Sequence, residues 1–137
     1  MISLSNTAAQ TLTPGQSLIF DNVIVKSGCA ECHRANTSSI KFCARNAKAI
    51  YEVHFSGNVT NGTAAAPVQL SLALSGDVLP GTTMISTPSA ANAVNNVSTS
   101  AVVRNNCCDY DRITVTNTGT SDITVSPGAM IIAKRVA

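Results

Sequence analysis

Tryptophan is absent from this chain, aromatic residues make up 4% of it and charged residues 12%. A core without large rings has to be filled by Val, Ile, Leu and Ala, which pack well between pleated sheets. The scarcity of charge, with a formal net charge of +2, excludes the broad cationic footprint that a phosphate backbone demands, so nucleic acid is not expected as a partner. No run approaches the ~18 apolar residues of a membrane-crossing helix. No basic segment precedes an apolar stretch with a small-residue cleavage site behind it, so the expectation is a chain with no membrane partner, made and folded in a cytoplasm. What the 137 residues do hold is one domain's worth of material, 45% of it hydrophobic, with many Ser, Thr and Asn. So little surface charge points to burial of part of the surface in an oligomer.

The dominant pattern is period-two alternation interrupted by turn residues, as a sheet with one buried face requires. After Thr13-Pro14-Gly15, residues Ser17 to Val25 read as a first long strand broken at Asp21-Asn22, and Ser27-Gly28 ends it. A short strand at Ile40 to Cys43 precedes Ala49 to Val59, where Tyr51, Val53, Phe55 and Val59 share one face and Glu52, His54 and Ser56 the other. Val68 to Leu74 alternates most cleanly, and Val78 to Ile85 carries Pro80-Gly81, which confines it to an edge or a bulge. Val94 to Val103, Arg112 to Asn117, Ser121 to Val125 and Ala129 to Val136 complete the set. The prediction is an all-β antiparallel jelly-roll sandwich of about eight to nine strands. Residues 1–16 are expected as an N-terminal arm and 17–137 as the single jelly-roll domain.

The texture of Ala49-Ile50-Tyr51-Glu52-Val53-His54-Phe55-Ser56-Gly57-Asn58-Val59, of Val68-Gln69-Leu70-Ser71-Leu72-Ala73-Leu74-Ser75-Gly76, of Leu79-Pro80-Gly81-Thr82 and of the ending from Ile113 to Val136 resembles a known superfamily. It is that of the trimeric jelly rolls of tumour necrosis factor and the complement globular heads, above all their small versions in gut bacteria and phages. The resemblance runs from about Ser17 to Val136 and lies in strand order more than in invariant residues. It implies a homotrimer in which one sheet of each protomer packs around a three-fold axis. Through the phage-associated members it implies a non-enzymatic virion protein, a capsid decoration or head-fibre knob of a bacteriophage. Such a protein binds capsid proteins and reaches the virion by assembly in the host cytoplasm. The alternative it implies is a bacterial cell-surface or spore-coat recognition module that binds a carbohydrate or protein. The chain lacks a collagen-like stalk and carries a cysteine-rich loop, so the receptors and ligands of vertebrate members are not carried over.

Cys29-Ala30-Glu31-Cys32-His33 spells the c-type haem attachment motif. Haem attachment, however, requires export, a second axial ligand and a helical wrap, which this strand pattern does not provide. Because successive antiparallel crossings alternate direction, three parts of the chain are expected at one end of the sandwich. They are the loop holding Cys29, Cys32 and His33, the short strand ending in Cys43, and the loop holding Cys107 and Cys108. Three outcomes are open: disulfides pinning the first loop to the one between the fifth and sixth long strands, zinc on a Cys-x-x-Cys knuckle, or buried thiols. Five cysteines is an odd number, so one thiol is left over or bridges protomers. His54 reads as a surface or interface histidine, and no catalytic residue stands out. Tyr51, Val53, Phe55, Leu70, Leu72, Ile113 and Val115 are expected as sandwich or trimer core.

Overall fold

The computed structural model of the chain describes residues 1–44, 48–62, 66–105 and 111–137. Among these the regular elements are all strands: β1 (Ile2–Ser5), β2 (Gln10–Leu12), β3 (Asn22–Lys26), β4 (Glu31–His33), β5 (Ile40–Phe42), β6 (Ile50–Thr60), β7 (Val68–Leu74), β8 (Asp77–Val78), β9 (Met84–Ser86), β10 (Val94–Arg104), β11 (Arg112–Asn117), β12 (Ile123–Val125) and β13 (Met130–Arg135). They form two antiparallel sheets facing each other across one apolar interior, the jelly-roll sandwich that alternation predicts.

The larger sheet is organised around β6. β10 pairs with it from Thr60↔Val94 to Ile50↔Arg104. On the other side β13 takes Tyr51 to Ser56 and β12 takes Val59 and Thr60. β1 pairs with β13, β3 with β1, and β2 with β12, so β3 and β10 lie at opposite edges. The smaller sheet runs β4, β5, β11, β7, with β8 and β9 both on the far side of β7. Inward-facing residues of the two sheets, among them Ile2, Leu4, Phe55, Leu70, Leu72, Ile113, Val115 and Ile131, close the core. Gly57 sits inside β6 where an added Cβ would lie 3.1 Å from both the Phe55 ring and Ala129, so the ring packs over a position with no side chain.

Residues 1–16 are not an arm, which corrects the expectation from sequence. β1 is an interior strand of the larger sheet with Ile2 and Leu4 fully buried, and Leu12 of β2 is buried as well. The alternation Ile2-Ser3-Leu4-Ser5 carries that signal in four residues, too short to stand out beside the longer strands. The expected first long strand is divided between the sheets. Ser17 and Phe20 make single bridges to Thr116 and Thr37, and from Asn22 the chain joins β1 instead. The change falls at Asp21, whose carboxylate accepts hydrogen bonds from the Thr7 N–H and hydroxyl. Those two bonds hold its pKa below the ordinary value of 3.8. Val78 to Ile85 is likewise two short strands, split where Gly81 takes a positive φ of 79° behind Pro80.

Leu4→Ala is expected to destabilise the protein by about 2–5 kcal/mol in urea denaturation, as a buried Leu truncation does. A change below about 0.5 kcal/mol would return the segment to the status of an arm.

Candidate functional site

Two regions merit a functional reading, the cysteine-bearing end and the outward face of the larger sheet. At the first, antiparallel register sets Ala30 opposite Cys43, whose N–H donates to the Ala30 carbonyl at 2.7 Å. Cys32 lies two residues along the same strand face, and Cys32 and Cys43 form a disulfide with their Cα atoms 6.3 Å apart. Cys29 is an exposed free thiol that shares a shallow depression with Cys43 and Arg135. Cys107 and Cys108 lie outside the described residues. Their described flanks are at this end: Asn105 N–H donates to Ala49 O at 2.8 Å, and Asp111 O accepts from Phe42 N–H at 2.9 Å.

The observed bridge clamps β4 to β5, one form of the disulfide outcome that the sequence left open beside zinc and buried thiols. In this disulfide form Cys32 and Cys43 carry no thiolate to offer a metal. The His33 ring is engaged too: Nδ1 lies 2.9 Å from Ser39 O and Nε2 lies 3.1 Å from Phe20 O. A neutral imidazole has one N–H and satisfies one of these carbonyls, while the imidazolium satisfies both. Among the described residues no three His, Cys, Asp or Glu converge in a metal-binding group.

Tyr51 of β6 ties this end to the core. Its ring stacks on Phe42 with centroids 4.0 Å apart, and its hydroxyl donates to Ala30 O at 3.0 Å and accepts from Ala44 N–H at 3.3 Å. Burial pushes the phenol pKa above 10.0, against the Ala44 bond, and the Glu31 carboxylate adds to the rise. Glu31 itself is 1% exposed and accepts from the Met1 ammonium and the Arg135 N–H, each at 2.8 Å.

The second region is the outward face of β3, β1, β13, β6 and β10. Its middle is small and nearly neutral. Ser3 and Ser5 of β1 lie opposite Ile132 and Met130, which lie opposite His54 and Ser56, which in turn lie opposite Ser100 and Ser98. A depression of about 440 Å³ opens there between His54, Ser56, Ser98, Ser100 and Met130. Each edge is aliphatic. On β3 Val25, opposite Ser3, is 44% exposed and Ile24, at the register shift, 50% exposed, while Val23 lies opposite the inward Leu4; Val94 and Val102 of β10 are 59% and 68% exposed.

Several solved structures resemble the chain over nearly its whole length. The globular domain of zebrafish complement 1qA aligns over 99% of this chain and 96% of its own with a TM-score of 0.66 at 11% identity. Murine APRIL aligns over 98% and 97% with a TM-score of 0.70 at 13% identity, and the Eiger TNF of S. frugiperda over 99% and 92% with 0.71 at 10%. The chain has a TNF/C1q-like jelly-roll fold. No protein-family model and no curated protein sequence matches it.

Within the jelly roll, Tyr51, Val53, Phe55, Leu70, Leu72, Ile113 and Val115 all lie buried in the sandwich interior. Residues on the alternate faces of β6, β10 and β13 make the outward surface. Of these the sequence reading singled out only Glu52, His54 and Ser56, as the face opposite Tyr51. The edge aliphatics and Met130 escaped it, since an exposed Val in a strand reads like any inward one.

Two outcomes check this end. Cys32→Ser is expected to cost about 3 kcal/mol of stability under oxidising conditions, the loop entropy of a short bridged segment, and a reductant should abolish the difference from wild type. Tyr51→Phe should cost about 1–3 kcal/mol by stranding the Ala30 carbonyl and Ala44 N–H. Because the folded pKa is raised, the neutral phenol's contribution is intact below pH 10.0 and is lost as pH rises through the folded value. Melting curves of Tyr51→Phe should therefore show a smaller alkaline loss than those of wild type.

Proposed function

We propose that the protein is a non-catalytic homotrimer that works by assembly and display, as a capsid decoration or head-fibre knob of a bacteriophage virion. The observation that carries the trimer is the outward face of the larger sheet. A ring of identical subunits needs two different complementary patches per protomer, so that each contact is head to tail and the rotation closes. The face supplies them as unlike aliphatic edges, β3 on one side and β10 on the other, separated by a nearly neutral middle in which Ser3, Ser5, Ser56, Ser98 and Ser100 surround His54, Met130 and Ile132. Jelly rolls of the TNF/C1q type assemble about three-fold axes, which favours the same geometry. The low charge of the chain agrees with a protein whose surface is largely covered in its working state.

The disulfide adds a second support. Stable disulfides persist on secreted proteins and on virion or cell surfaces and are rare in reducing cytosol. A protein made in a host cytoplasm and carried outside on a virion meets that condition after assembly. A recognition module on a bacterial cell or spore surface meets it as well, and the two readings differ in partner. Binding of the purified protein to phage capsids that lack it, set against binding to bacterial cells and glycans, separates them, and capsid binding alone is the expected result.

The assembly itself is checked by native mass spectrometry. A species of three times the 14.1 kDa protomer is expected. Val102→Glu and Ile24→Glu, each at an exposed edge position, should both give folded monomers. A monomeric wild type at about micromolar concentration would sink the proposal, since a stable interface of ordinary size holds together well below that.

A further inference from the structure

We propose that Cys29 and the Cys32–Cys43 disulfide form a thiol–disulfide switch, in which the Cys29 thiol displaces Cys32 and moves the bridge to Cys29–Cys43. Three sulfurs share this end of the β4–β5 ribbon. Glu31 and its partner Phe42 are buried inward, so alternation turns Ala30, Cys32 and Cys43 to the ribbon's outer face. Ala30 and Cys43 stand opposite each other, joined by the 2.7 Å bond from Cys43 N–H to Ala30 O. Cys32 lies two residues beyond Ala30 and still reaches Cys43, while Cys29 lies one residue before Ala30. Cys29 is an exposed free thiol, and it lines the same depression of about 390 Å³ as Cys43.

The exchange balances within the protein. Cys29 gives its proton to water, and its thiolate, the nucleophilic form, attacks Cys43 Sγ. The Cys29–Cys43 bond forms as the Cys32–Cys43 bond breaks, the electron pair leaves on Cys32 Sγ, and that thiolate takes a proton from water. One disulfide and one thiol stand on each side of the step, so no outside oxidant or reductant enters. Arg135 lines the same depression, a cation beside a transfer whose negative charge is spread over the sulfurs. The new bridge closes a segment only three residues longer, and loop entropy depends on the logarithm of length, so chain entropy hardly separates the two forms.

The consequence falls on β4, an edge strand of three residues. Cys29 precedes that strand and follows a turn at Gly28, whose φ is 82°, so the exchange disturbs none of the β4–β5 register pairs directly. Tyr51 bonds Ala30 O and Ala44 N–H, which holds the root of the ribbon in both forms. After exchange no covalent bond leaves β4 itself, and a thiol stands at Cys32 on the outer face of the smaller sheet. A Cys29–Cys43 bridge also stands in for the lost one in Cys32→Ser, so the full stability cost of that variant is the cost with Cys29 alkylated.

The test incubates the full chain near pH 8 under nitrogen, without oxidant or reductant, and blocks free thiols at intervals with N-ethylmaleimide near pH 6. Trypsin and glutamyl endopeptidase then cut after Glu31, Arg34 and Lys41, which puts the three cysteines on separate peptides for mass spectrometry. Maleimide on Cys32 is expected to grow to about a tenth of the molecules or more, with a matching rise in the Cys29–Cys43 linked peptide. The exchange should run severalfold slower near pH 7, where less thiolate is present. Cys29→Ser, changed at an exposed position, should keep the Cys32–Cys43 bridge and leave Cys32 unlabelled. Deuterium exchange of the β4 amides should be faster in the equilibrated wild type than in Cys29→Ser. Label confined to Cys29 after a day, Cys32 labelled equally in Cys29→Ser, Cys29 linked to Cys107 or Cys108, or β4 amides unchanged by the exchange would overturn the proposal.

Discussion

The odd-even alternation of β6 is the constraint on which the rest of the molecule depends. Along Ile50–Thr60 the strand is paired on both sides, and its period of two sends Tyr51, Val53, Phe55 and Val59 inward and Glu52, His54, Ser56 and Asn58 outward. A slip of one residue would exchange these sets, exposing the core and burying the polar row. Register is therefore held by the cost of exposing apolar surface, about 25 cal/mol per Å². One strand thereby fixes the core and the outward face together.

Tyr51 extends that constraint to the cysteine end. Its ring belongs to the core, yet its hydroxyl bridges the chain before β4 and the chain after β5, the two segments that the disulfide also joins. A hydrogen-bonded phenol and a covalent bridge so close together make the β4–β5 ribbon a rigid extension of the sandwich, although β4 is an edge strand of only three residues. The larger sheet, with its nearly neutral centre and aliphatic edges, presents a surface of a different kind.

Much of the fold was legible in the sequence, because burial of one sheet face leaves a direct mark on the order of residues. Val68 to Leu74 and Arg112 to Asn117 appear as strands where alternation places them, and the break at Asp21-Asn22 is where the chain passes from one sheet to the other. β1 was not recognised, since four alternating residues beside the terminus resemble a tail until their partners, β13 and β3, are known. Cys32 and Cys43 were legible as members of a cluster but not as each other's partner, because a pairing depends on the register of β4 against β5.

What the sequence determined by itself was the class of structure: period-two burial of aliphatic side chains, turns at Gly, Pro and Asn, and an overall charge too small for a polyanion-coating surface. The tertiary structure alone decided which surfaces exist. Two aliphatic edges stand at opposite ends of one sheet because strand order is set by long-range pairing. Alternation is a local property that each strand writes into its own residues. Adjacency across a sheet is not, so it becomes visible only when the strands are assembled.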